Sequence, residues 1–268
     1  MLRQKLFKLL INLAMQQPII YALDFDGVIC DSAWETGMAG WKTAAQLWPE
    51  MQTQPTDNLL HKFRFARPIL ETGYEAVLII YLLHQGVEPE EILASFVTEK
   101  PKLLQRLDLD ITHLKNLFAA TRDHWIAEHI EEWVALNPLF AGVKEQLQQW
   151  VATDSCYILT TKQERFVKLI LAANDITLPA ERIFGLDRNA SKDQILLELS
   201  QKHLDSTLRF IEDRLPALIS VQQHPELQGI ELQLAAWGYN TSLDHKEARQ
   251  HGIAVIELTE FNQLAAVK

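Results

Sequence analysis

Residues 18–32 read Pro-Ile-Ile-Tyr-Ala-Leu-Asp-Phe-Asp-Gly-Val-Ile-Cys-Asp-Ser. The run from Ile19 to Leu23 is apolar without alternation, the pattern of a strand buried on both faces near the centre of a parallel sheet. Side chains at i and i+2 of a strand share a side, so Asp24 and Asp26 are expected to emerge together at its carboxyl end. Ligands bind at that end in open α/β sheets. Two carboxylates held side by side repel, and the ordinary reasons to tolerate this are a bound cation or a shared proton. Acids that merely cap the next helix are the plainer alternative. That reading suits a single Asp better than it suits Asp-x-Asp-Gly behind a buried strand.

Beyond this stretch the chain has two textures. Residues 33–137 carry no convincing strand signal. A helix is expected over 31–47, leaving the sheet. Pro68, suited to a first helical turn, is expected to open a helix through Tyr74, Val77, Leu78, Tyr81 and Leu82 to Gly86, and Pro89 with Glu90 and Glu91 opens another. Leu114, Leu117, Phe118, Trp125, Ile130, Trp133 and Val134 then follow roughly the helical period, and Asn137-Pro138 ends the segment. From Gly142 short apolar strands (156–160, 208–211, 230–237, 253–258) alternate with helical patterns (143–150, 164–173, 191–202, 215–222). Such alternation argues for an α/β fold with a doubly wound parallel sheet. The expected organisation is an α/β core of residues 1–32 and 138–268, with an all-helical domain of residues 33–137 inserted after the first motif.

Composition narrows the function classes. The 268 residues are 48% hydrophobic and 22% charged with a net charge of −10. These are ordinary globular values, and they leave no basic footprint for nucleic acid. A small ligand is the expected partner. Two cysteines, Cys30 and Cys156, make no disulfide framework and fit a reducing cytoplasm. No apolar run approaches the roughly 18 residues of a membrane span. Residues 1–17 read as an amphipathic leading helix rather than a signal peptide, with Met15 as an alternative start.

Each core strand ends in polar residues suited to phosphate chemistry. The first ends in Asp24 and Asp26, the second in Thr160-Thr161 followed by Lys162, and the third in Glu212-Asp213, with Lys192 opening the helix before it. In a parallel sheet these ends lie along one edge. The set resembles the haloacid dehalogenase superfamily, particularly its phosphatases with a helical cap inserted after the first motif. Asp24-Phe25-Asp26-Gly27-Val28 matches the first motif and Tyr157-Ile158-Leu159-Thr160 the second. Lys192 has the place of the third-motif lysine, and Phe210-Ile211-Glu212-Asp213 resembles the acidic fourth motif. Pro138 to Val143 resembles the return from cap to core.

The resemblance implies a mechanism. Mg²⁺, which prefers oxygen ligands, would be held by Asp24, the Asp26 backbone carbonyl and Asp213. Glu212 would be a ligand through water or a residue behind the ligands. Asp24 would be the nucleophile, forming an aspartyl-phosphate, and the Asp26 side chain the general acid and base. Thr160 and Thr161 would bind the phosphoryl group, and Lys192 would offset its charge. Having Asp26 favours phosphoryl transfer over halide displacement. Three departures stand out: Ala217 and Leu218 lie where a further acid is common, Asp193 follows Lys192 in place of a proline, and Thr161 stands where Asn is frequent. Lys162 is a rival for the phosphate-binding lysine. The expected substrate is a small organic phosphate ester, phosphoglycolate and sugar phosphates foremost. Arg64, Arg67 and Tyr74, with Glu71, are the cap residues placed to meet it. For these, as for Arg122 and His124 on the long cap helix, a solvated or structurally paired role is the commoner one, since surface arginines outnumber ligand-binding ones. Trp237-Gly238-Tyr239-Asn240 is a candidate for the rim of the site or for plain loop packing. A phosphomutase of the beta-phosphoglucomutase type shares every motif, and a non-catalytic binding protein is the third reading.

Overall fold

A computed structural model describes residues 17–51 and 54–265. The leading segment read as an amphipathic helix, residues 1–16 of it, lies outside the described residues. The chain divides into two compact units, Met1–Cys30 with Leu139–Lys268, and Asp31–Pro138. Among the described residues no helix is long and apolar enough to cross a membrane.

The first unit is built on a six-stranded sheet of β1 (Ile19–Leu23), β2 (Cys156–Leu159), β3 (Ile183–Phe184), β4 (Thr207–Glu212), β5 (Glu231–Ala235) and β6 (Ala254–Ile256). The spatial order is β3-β2-β1-β4-β5-β6 and every pairing is parallel. Tyr21, Ala22 and Leu23 of β1 are fully buried, as an unbroken apolar strand at the sheet centre requires. The chain winds outward from β1 through β2 and β3, then crosses back to β4 on the other side of β1. The crevice at the carboxyl ends of β1 and β4 is therefore the topological switch point, where open α/β sheets bind ligands. The register pairs Leu23 with Ile158 and with Ile211, so Asp24 stands level with Glu212.

On one face Ile20, Ala22, Tyr157, Phe210 and Leu234 pack under Leu196, Leu199, Leu218 and Val221 from the crossover helices. On the other Tyr21 stacks on Trp150 with ring centroids 4.0 Å apart, and Trp150 meets Phe261 edge-on. β3 and the helix Ser242–Gln250 are among the elements with no counterpart in the sequence reading. β3 has two residues, too few to show a pattern. The helix Ser242–Gln250 buries only Ala248, so it has no apolar stripe; its local signal is the capping box of Thr241 and Asp244.

The second unit is helical throughout its described residues, with helices Ala33–Leu47, Asp57–Ala66, Glu75–His84, Pro89–Arg106, Ile111–Glu128 and Ile130–Ala135. Glu75–His84 is buried nearly all round, from Glu75 to Ile80 and at Leu83, which makes it the unit's central helix. Ala33–Leu47 crosses it closely, because a Cβ at Gly40 would lie 2.9 Å from the Ala76 carbonyl oxygen. The helix expected to open at Pro68 opens instead at Glu75, after a single 3₁₀ turn at Arg67–Ile69. The Glu75 carboxylate accepts from the backbone N–H groups of Glu71 and Thr72 at 2.7 and 3.0 Å, which curls this segment back on the helix start. The expected long helix over 114–134 is two, parted at His129, whose φ of −140° and ψ of 53° are non-helical.

Glu35 is fully buried. It accepts from Arg122 Nε and Nη2 at 2.6 and 3.0 Å and from Trp133 Nε1 at 2.9 Å, joining Ala33–Leu47 to Ile111–Glu128 and Ile130–Ala135. Removing one partner of a buried pair strands the other charge, at a cost of about 3–5 kcal/mol. Glu35→Ala is therefore expected to lower the unfolding free energy by about that amount in urea titration. A change near zero would mean that Arg122 finds another partner.

Candidate active site

Asp24 follows β1 directly, its N–H donating to the Ile211 carbonyl at 2.9 Å, and it is 6% exposed. Lys192 Nζ donates to Asp24 Oδ1 and to Glu212 Oε2, each at 2.5 Å. The lysine is delivered by a helix start: Ser191 and Gln194 form a capping box that opens the helix at Lys192, leaving that residue in its first turn. The other Glu212 oxygen accepts from the backbone N–H groups of Asp213 and Arg214 at 3.1 and 3.0 Å. Carboxylate oxygens of Asp24, Glu212 and Asp213 lie within 4.8 Å of one another, all three residues buried.

Three buried carboxylates thus lie close together, and one ammonium bonds two of them, Asp24 and Glu212. Burial foremost, then the Glu212 charge, pushes the Asp24 pKa up to about 7. Burial, Glu212 and Asp24 hold Asp213 well above the ordinary carboxylate range. Burial alone would lower the Lys192 pKa, but Asp24 and Glu212 outweigh it and the net shift is upward. The trio is short of positive charge, which a divalent cation with oxygen ligands would supply.

Beside this trio stands a second group. Lys162 Nζ donates to both oxygens of Asp26, at 2.8 and 3.2 Å. The Lys162 N–H donates to Thr160 Oγ1 at 3.1 Å, and both Thr160 and Lys162 are buried. The chain matches an inferred phosphoglycolate phosphatase from Lactobacillus delbrueckii subsp. bulgaricus at a TM-score of 0.59 and 13% identity, over 94% of this chain and 98% of that one. A predicted phosphoglycolate phosphatase from Haemophilus somnus gives 0.56 and 13%, over 90% and 95%. A haloacid dehalogenase family hydrolase from Deinococcus radiodurans, with bound phosphate and sodium, gives 0.52 and 15%, over 94% and 95%. The chain has the haloacid dehalogenase fold. No family model matches it, and no curated protein matches its sequence, so the likeness resides in the fold.

Within the haloacid dehalogenase fold of this chain, the residues singled out from sequence fall into separate groups. Asp24, Lys192, Glu212 and Asp213 converge, while Asp26 joins Thr160 and Lys162 rather than the acidic trio. Thr161 is exposed. In the helical unit Arg64 pairs with Asp31 at 2.9 Å, Arg67 Nη1 donates to the Leu70 carbonyl at 3.4 Å, and Tyr74 is buried. Arg122 is taken up by Glu35, and His124 faces Glu128 on an exposed surface.

The loop 237–240 has a larger part than its sequence suggests. The Tyr239 N–H donates to Asp213 Oδ2 at 2.7 Å, and Asn240 Nδ2 donates to the Asp213 and Ala235 carbonyls, each at 2.8 Å. A Cβ at Gly238 would lie 2.3 Å from Asp213 Cβ, and one at Gly27 2.0 Å from Asp213 Oδ2. Two glycines and a backbone N–H therefore enclose Asp213. The glycines were the available signal, but they lie far from Asp213 in sequence and their contact is made only by the fold.

Proposed function

We propose that the chain is a Mg²⁺-dependent phosphatase of a small organic phosphate monoester, with Asp24 as nucleophile and Asp26 as general acid and base. The observation that carries this reading is the buried carboxylate trio of Asp24, Glu212 and Asp213 at the switch point of the sheet, with Lys192 bonded to the first two. Asp24 and Asp213, with the Asp26 backbone carbonyl, are the donors suited to Mg²⁺; Glu212, engaged by Lys192 and by backbone N–H groups, stands behind them. When bound, the cation would offset the charge of the phosphate dianion that otherwise repels a carboxylate nucleophile.

The chain's own groups account for the proton and bond inventory. An Asp24 carboxylate oxygen bonds to phosphorus as the bond from phosphorus to the leaving oxygen breaks. Asp26 gives its proton to that oxygen, then takes one from the water that attacks the aspartyl-phosphate. Inorganic phosphate leaves and Asp24 is regenerated. The Thr160 hydroxyl donates to a phosphoryl oxygen, and Lys192 holds Asp24 while offsetting charge on the transferring group. The helical unit is the cap in this reading and selects the leaving group, with Arg64, Arg67 and Tyr74 as its candidate contacts. The buried free cysteines, Cys30 and Cys156, suit a reducing cytoplasm.

Phosphoglycolate is the first substrate to test, since two structural neighbours carry that activity in their names. The experiment is a panel of phosphate esters with Mg²⁺, glucose phosphates included, read for both free phosphate and isomerised product. Free phosphate is expected. Isomer with little phosphate would favour a mutase, and neither product would favour a binding protein.

Metal and proton should compete. The Asp24 pKa rises to about 7 in the folded chain, against about 3.9 for an exposed Asp. Between these values the native state binds more protons than the unfolded one, so this group's contribution to metal-free stability falls as pH rises through the window. Mg²⁺ needs the ionised form. It is expected to raise the melting temperature more at about pH 8 than at about pH 5, by scanning calorimetry. Equal shifts would place the cation elsewhere.

A further inference from the structure

The scheme above leaves Lys162 unused, although the structure buries it beside the general acid. We infer that Lys162 is a positioning residue that fixes the Asp26 carboxyl group, and through it proton delivery to the leaving oxygen. The catalytic consequence rests on the phosphatase reading; the positioning rests on geometry alone.

A lysine side chain is flexible and strongly hydrated, so burying its ammonium is costly without a partner. Here the side chain is 6% exposed and its Nζ spans both Asp26 oxygens, at 2.8 and 3.2 Å. An aspartate has three staggered χ1 wells; a bidentate donor held from outside selects among them. Lys162 is held in this way. Its N–H donates to Thr160 Oγ1, and its carbonyl accepts from the Leu186 N–H at 3.0 Å. A Cβ at Gly185 would lie 2.7 Å from that carbonyl oxygen, so the two loops beyond β2 and β3 approach closely only because residue 185 is glycine. The backbone of Asp26 is set independently, in a loop where the Ile29 and Cys30 N–H groups donate to Phe25 O and the Gly27 N–H to Cys30 O. Lys162 reaches the Asp26 side chain from the loop beyond the neighbouring strand β2.

A positioned general acid matters in proportion to the proton demand of the leaving group. Phenoxide needs its proton far more than 4-nitrophenoxide, so the two aryl phosphates report on Asp26 separately from the rest of the site. Lys162→Met keeps the length and apolar stem and removes the donor. It is expected to lower kcat about tenfold on 4-nitrophenyl phosphate and about 10²–10³-fold on phenyl phosphate, with KM changed less than about threefold. Lys162→Arg, which retains a bidentate donor, is expected to recover most of the phenyl phosphate activity.

In a crystal structure of Lys162→Met the Asp26 side chain is expected to leave its present rotamer. Equal losses on both esters, or a rise in KM with kcat unchanged, would overturn the inference and make Lys162 a structural or phosphate-binding residue. An unmoved Asp26 in the variant structure would overturn it as well. If the wild-type chain hydrolyses neither ester, the phosphatase reading fails, and the Asp26 rotamer still decides whether Lys162 positions it. If Lys162→Met does not fold, Lys162→Arg carries the comparison: kcat within about threefold of wild type on both esters supports positioning by a bidentate donor, and a large, equal loss on both esters overturns it.

Discussion

Asp24→Asn is expected to abolish hydrolysis of 4-nitrophenyl phosphate, by about 10⁴-fold or more, while the protein stays folded. Asn has nearly the shape of Asp but is no nucleophile towards phosphorus. The loss corresponds to at least about 5.5 kcal/mol of transition-state stabilisation. The stability side of this prediction has a definite sign. Burial and Glu212 push the Asp24 pKa up to about 7, so the ionised carboxylate is disfavoured in the native state. Removing that charge relieves repulsion with Glu212 and Asp213, although Lys192 loses one of its two partners. The metal-free variant is accordingly expected to melt no lower than wild type at about pH 8. Activity assays with calorimetry check both parts. Wild-type activity in the variant would sink the nucleophile assignment, and loss of activity together with a large fall in melting temperature would reassign Asp24 to structure.

Gly27→Ala is expected to have the next largest effect although Gly27 takes part in no chemical step. Its φ of +92° is one that side-chain-bearing residues rarely adopt, and a Cβ there would lie 2.0 Å from Asp213 Oδ2. Asp213 has no ready retreat, for Gly238 packs against its Cβ and the Tyr239 N–H holds the same oxygen. Either the motif loop or the Asp213 carboxylate must shift. Backbone strain with overpacking costs about 1–3 kcal/mol, and a misplaced ligand oxygen is expected to weaken Mg²⁺ binding and lower kcat/KM about 10²–10³-fold. Gly229→Ala is the control, since a Cβ there meets nothing within 4 Å; it is expected to change stability by less than about 0.5 kcal/mol. Metal titration and urea denaturation of the two variants give the comparison. Wild-type Mg²⁺ affinity in Gly27→Ala would remove Asp213 from the proposed ligand set.

These residues also mark how far the sequence could be read. An apolar run that stops at Asp24, another that stops at Thr160 and a third that stops at Glu212-Asp213 are local patterns. A strand buried in a parallel sheet must be apolar along its length and can turn polar only where it leaves the sheet. Such runs point to the sheet, its central strand and the edge where polar groups gather, and a helix start likewise places Lys192. The helix beginning at Glu75 rather than near Pro68 shows the limit of the same logic. Pro68 permits a helix start, but the bonds from Glu71 and Thr72 to Glu75 decide where it falls.

What the sequence determined by itself, then, was the class of fold and the residues that end its strands. Tertiary structure alone decided which of them face one another. Asp24 and Asp26 are two residues apart, yet one is bound by Lys192 and the other by Lys162, from different crossovers. Arg122 carries no sequence mark separating a substrate contact from a structural pair, and in the folded unit it meets Glu35. Periodicity is a property of the backbone and repeats every few residues. The partner of a long charged side chain depends on sheet register and helix packing, which bring together groups as distant in sequence as Asp26 and Lys162.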